Sequence, residues 1–134
     1  MVATGLVLAT YGCGSKSVFA PDQTNVVFST VDLTVGSGAE ATAGKTVIVQ
    51  YGLWLYSDTA VDHKGDQVDS GTLQPFVLGS NTVIKGFDMA VTGMKVGGNR
   101  RAIVPPSLAY GSTGNGPIPP NAALVFDLVL NSVQ

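Results

Sequence analysis

One cysteine, one histidine and seven basic residues are all that this 134-residue chain offers to the commonest protein chemistries. The single cysteine, Cys13, excludes an intrachain disulfide and any cysteine-based metal cluster. With His63 as the lone histidine, a Ser-His-Asp arrangement would need a long-range coincidence. Seven Lys and Arg against nine Asp and Glu give a formal charge of −2 and no basic stripe, so nucleic acid is not an expected partner. The sequence holds no internal repeat, and its apolar N-terminal run is too short for a transmembrane helix.

What the chain does have is apolar content, 45% of its residues, which supports one globular domain with a real core. It begins with "MVATGLVLATYGCGSKS", an apolar run ending in small residues, followed by the polar, linker-like "VFAPDQTNV". That pattern predicts a targeting segment over 1–13, a linker over 14–26 and the domain over 27–134. "LATYGC" resembles the bacterial lipoprotein signal, which implies lipidation of Cys13, a lipid anchor to a membrane and a place in the cell envelope. The alternative is a packed N-terminal segment with an inert thiol in a cytoplasmic protein.

Periodicity then assigns elements. "VVFSTVDLTVG" and "KTVIVQYGLWLYS" read as strands, whereas the polar "DTAVDHKGDQVDSG" reads as a long surface loop or bulge. "FVLGSNTVI" resumes the apolar pattern. In "KGFDMAVTGMKVGG", Phe87, Ala90, Val91 and Met94 recur at the spacing of one helical face, which predicts a helix ending at Gly97 and Gly98. "NRRAIVPP" and "AALVFDLVLNSV" are two further strands. The expected fold is α+β, an antiparallel sheet packed on one short helix.

Two phosphate-loop look-alikes fail. "AEATAGKT" has Ala39 where the first glycine is required and a strand where the helix must stand, and "GSTGNG" opens no helix. Asp58, Asp62, His63, Asp66 and Asp69 crowd one stretch without calcium-loop spacing, so no metal is expected there. The segment 104–120 is more specific. It sets Tyr110 among five prolines and Gly111, Gly114 and Gly116, which makes a shaped loop that presents one tyrosine.

"AYG" before that glycine-rich turn, then "IPP", "NAALVFDL" and the upstream "VIKGFDMAVTGMKVGGNRRAIVPP", together resemble the FKBP-type peptidyl-prolyl isomerases, in order and spacing. "VDSG", "FVLG" and "VIVQYGLWL" extend the resemblance from about Val31 to the C-terminus. It implies a sheet curled around the helix and a pocket between them. Phe87 is the implied floor, where the family usually has Trp, and Asp69, Tyr110 and Ile84 are the implied catalytic groups beside it. Tyr51, Val68, Phe76, Val83, Ile118 and Phe126 are the implied substrate-binding walls, with Val68 standing where the family usually has Phe. The implied substrates are proline-containing polypeptides, the implied inhibitors are macrolides of the tacrolimus and rapamycin type, and no cofactor is implied. A non-catalytic peptide-binding or chaperone module on the same fold is the alternative.

Overall fold

The computed structural model describes residues 23–134. Cys13, the segment 1–13 and linker residues 14–22 lie outside the described residues. Strands β1 (Ser29–Thr34), β2 (Thr46–Tyr56), β3 (Lys64–Thr72), β4 (Phe76–Val77), β5 (Asn99–Val104) and β6 (Leu124–Val133) form one antiparallel sheet. Its order is β1-β5-β6-β2-β3, with β4 paired to the start of β2. Helix α1 (Lys85–Val91) lies across it against β5 and β6.

The core follows from alternation. Val47, Val49 and Leu53 of β2, Ala102 and Val104 of β5, and Leu124, Phe126, Leu128 and Leu130 of β6 are buried, and α1 adds Phe87, Ala90 and Val91. The helix is shorter than the periodicity predicts. Gly93 takes φ +91°, and the chain turns away to pair Gly93 N–H with Ala41 O at 2.8 Å and Ala41 N–H with Met94 O at 2.7 Å. Met94 is therefore buried on the predicted face without being helical. Arg100 closes the helix end, its Nη1 donating to Ala90 O at 2.9 Å and Thr92 O at 3.1 Å, carbonyls left without helical donors.

The stretch read as a surface loop contains a full strand. Only residues up to His63 turn, and β3 then pairs along β2 with two register shifts around Trp54. An edge strand with little of either face buried has no apolar period to read. Charge pins it instead. Lys64 Nζ bonds Asp127 Oδ2 of β6 at 2.5 Å and sits 4.0 Å from the Trp54 ring centroid, while Arg101 Nε bonds Asp127 Oδ1 at 2.8 Å. Burial alone would raise the Asp127 carboxyl, yet these two cations hold it below the usual range.

Part of the stretch read as linker, residues 23–26, is among the described residues. Gln23 is buried, donates from Nε2 to Tyr56 O at 3.0 Å and accepts from Ala123 N–H on Oε1 at 2.9 Å. Gln23 is thus fastened to the domain, because a buried amide must find partners.

Candidate functional site

A cavity of about 300 Å³ opens between the sheet and α1. Its floor is Phe87, only 3% exposed. Three rings frame it: Phe126 at 5.3 Å and Tyr51 at 6.1 Å, both edge-on, and Phe76 at 6.0 Å, tilted. The ring reaches this place because Gly86 lets α1 lie close on β5. A Cβ at Gly86 would stand 2.3 Å from Val104 Cγ1 and 3.0 Å from Leu108 O.

The rim is polar. Tyr51 Oη donates to Asp69 Oδ2 at 2.6 Å, and Asp69 Oδ1 accepts from Ser70 N–H at 2.8 Å. Burial, reinforced by the Asp69 carboxylate, pushes the Tyr51 hydroxyl up to about 12. It therefore stays protonated at neutral pH and serves as a fixed donor. Ile84 forms the lip of α1: its carbonyl accepts from Phe87 N–H at 3.1 Å and Asp88 N–H at 3.2 Å. Its own N–H donates to no protein acceptor among the described residues, as expected at a helix start.

Tyr110 comes from the proline-rich loop, which is tied to itself. Gly111 N–H bonds Pro106 O at 2.9 Å, Asn121 N–H bonds Gly111 O at 2.8 Å, and Asn115 and Ile118 exchange bonds of 2.9 and 2.8 Å. Gly114 takes φ +73°, and a Cβ there would meet Ile118 O at 2.6 Å. Only glycine fits that crossing. The loop holds Tyr110 half-buried over one side of the cavity.

Tyr51, Asp69, Val83, Ile84, Phe87, Tyr110 and Phe126 all line this one cavity. Three other expected wall residues do not. Phe76 is 6% exposed and packs beneath the Phe87 ring, Ile118 is 5% exposed in the core, and half-buried Val68 packs against that core. Leu53, Leu73 and Thr82 line the cavity and are not anticipated. Leu53 was legible, since it stands two positions after Tyr51 on the same strand and so shares its face. Thr82 carries no such signal.

Among the described residues, no three His, Cys, Asp or Glu side chains come together to hold a metal ion. Of the acidic stretch, Asp62 pairs with Arg101 at 3.2 Å and Asp69 with Tyr51. The site offers shape, aromatic surface and fixed hydrogen-bond groups.

The family model for FKBP-type peptidyl-prolyl cis-trans isomerases matches residues 38–131. The chain belongs to that family. This FKBP-type chain is 45% identical over 104 residues to the 46 kDa FK506-binding nuclear protein of Spodoptera frugiperda, covering 77% of this chain and 24% of the relative. It thus spans about a quarter of that protein's length. An FK506-binding protein of Neisseria meningitidis is 41% identical over 103 residues, 76% of this chain and 92% of the relative. Among solved structures, AtFKBP13 superposes with a TM-score of 0.69 at 31% identity, covering 80% of this chain and 93% of that one. AtFKBP13 thus shares this fold of an antiparallel sheet with one helix.

Proposed function

We propose that this FKBP-type domain catalyses rotation about Xaa-Pro bonds and so assists protein folding. The observation that carries the reading is the Phe87 floor ringed by Tyr51 and Phe126, with Asp69, Tyr110 and Ile84 around it. Rotation breaks no bond. Its barrier of roughly 18 to 20 kcal/mol is the conjugation lost when the C–N bond twists. The planar imide is more dipolar than the twisted one, so water favours the ground state and an aromatic floor removes that advantage. A million-fold acceleration needs only about 8 kcal/mol, within reach of several modest terms.

Ile84 N–H and the Tyr110 hydroxyl are suited to the carbonyls flanking the proline, which would hold the peptide in a turn with its ring on Phe87. Because the 105–120 loop is already hydrogen-bonded to itself, little ordering entropy is lost on binding. Tyr110→Phe, which removes only the hydroxyl, should leave thermal stability nearly unchanged and weaken ligand affinity by about 0.5 to 1.5 kcal/mol, with activity reduced but present. Complete loss of activity in a folded Tyr110→Phe protein would mean that the hydroxyl does more than orient.

By the same reading, macrolides of the tacrolimus and rapamycin type are competitive ligands; the Spodoptera and Neisseria relatives are named for binding FK506. We further propose a bacterial lipoprotein form, with Cys13 lipidated and the domain held at the cell envelope by the residues before Gln23. The motivating pattern is the small-residue neighbourhood of Cys13 after an apolar run. Mass spectrometry of the full-length product should find lipid on Cys13; an unmodified thiol behind an intact Met1 would end this proposal.

A further inference from the structure

We propose that Asp88 is a positioning residue: through the backbone of Gly79 it holds the segment Thr82, Val83 and Ile84 in place as a wall of the cavity. The inference rests on the isomerase reading of the same cavity. Asp88 follows the floor residue Phe87 on α1, and both its carboxylate oxygens accept the Gly79 N–H, each at 3.0 Å. That contact closes a loop from β4 back to the helix. Within the loop Gly79 and Asn81 take φ +84° and +62°, left-handed conformations that glycine adopts freely and asparagine more readily than other residues.

Support inside the loop is sparse. Ser80 N–H bonds Val77 O at 3.3 Å, the Ser80 hydroxyl donates to Val77 O at 2.6 Å, and it lies 2.7 Å from the Thr82 hydroxyl. From Asn81 to Ile84 no backbone N–H finds a backbone acceptor among the described residues. Val83 and Ile84 pack against the core, but the wall's backbone is fixed mainly at its two ends: at α1, by covalent continuity, and at Gly79, by Asp88. A bond from a backbone N–H to a charged carboxylate is stronger than one between neutral groups. Releasing it removes no group from the cavity but lets the wall sample conformations that must be ordered again when a peptide binds. The wall faces planar and twisted peptide alike, so the cost falls on binding in general.

The decisive comparison is Asp88→Ala against Asp88→Asn in the full chain. Asp88→Ala should raise KM for Xaa-Pro peptides about five- to tenfold with kcat within about twofold, less than the roughly ten- to hundredfold of a fully lost charge-assisted bond, because only the re-ordering of the wall falls on the peptide. FK506 affinity should fall in parallel, and exchange of the Gly79 amide with solvent should accelerate. Asp88→Asn keeps a carbonyl acceptor and should recover most of the wild-type KM, which also keeps the test open if Asp88→Ala does not fold. Unchanged KM and Gly79 exchange in a folded Asp88→Ala protein, or a loss confined to kcat, would overturn the proposal. A wild-type chain that fails to isomerise peptides would instead overturn the isomerase reading, and FK506 titration with Gly79 exchange would still decide the role of Asp88.

Discussion

Phe87→Ala should cost roughly 3 to 5 kcal/mol of stability and about ten- to hundredfold in kcat/KM, the largest single loss available at this site. The two effects have one origin. Phe87 is 3% exposed and touches Tyr51, Phe76 and Phe126, so removing its ring leaves a void in the aromatic cluster that these neighbours refill only in part. The same ring is the surface on which the substrate's proline would lie, and losing it lets water back to the twisted imide. Phe87→Leu separates the roles, because it keeps most of the volume while removing the flat face. Denaturant unfolding should show a smaller loss for Phe87→Leu than for Phe87→Ala, with kcat/KM still well below wild type. A folded Phe87→Ala protein with unaltered kcat/KM would show that the floor is core and nothing more.

Gly86→Ala should also destabilise, although alanine is the better helix former by about 1 kcal/mol. The opposing term is larger. The new methyl would sit 2.3 Å from Val104 Cγ1 and 3.0 Å from the backbone oxygen of Leu108. Val104 is fully buried and β-branched, so it has no free rotamer to take, and forcing extra volume into such a contact costs about 1 to 3 kcal/mol. Relief comes most easily by lifting α1 from β5, which carries Phe87 and Ile84 with it. A lowered Tm together with reduced FK506 affinity is the expected result. A Tm equal to or above wild type would mean that the helix and β5 are less closely seated than their geometry indicates.

The parts of this fold legible in the sequence are those where burial imposes a period. β2 and β6 alternate because each buries one face, and Phe87, Ala90, Val91 and Met94 announce the side of α1 that meets the sheet. The end of that helix was not legible. It is set by Gly93 pairing with Ala41, some fifty residues away in the chain, and a local pattern does not carry such a partner. β3 escaped for the opposite reason: an exposed edge strand held by Lys64, Trp54 and Asp127 has no face to encode.

The site divides in the same way. Tyr110 stood out because prolines and glycines around one aromatic residue are hard to explain as packing. The resemblance implies Phe76 and Ile118 as cavity walls, but a sequence does not tell which side of a ring cluster faces the void. The glycine at position 86 was visible as a residue and not as a requirement; only the closeness of Val104 gives it meaning.

The most direct measurement is a protease-coupled assay of cis-to-trans isomerisation of an Xaa-Pro tetrapeptide, using the full chain without added metal or nucleotide and repeated with FK506. The expected result is an acceleration that FK506 suppresses and that varies little between about pH 7 and 9, since the mechanism moves no proton and Tyr51 titrates only near 12. A demonstrably folded protein giving the rate of buffer alone would contradict the account and leave a peptide-binding module on an isomerase fold.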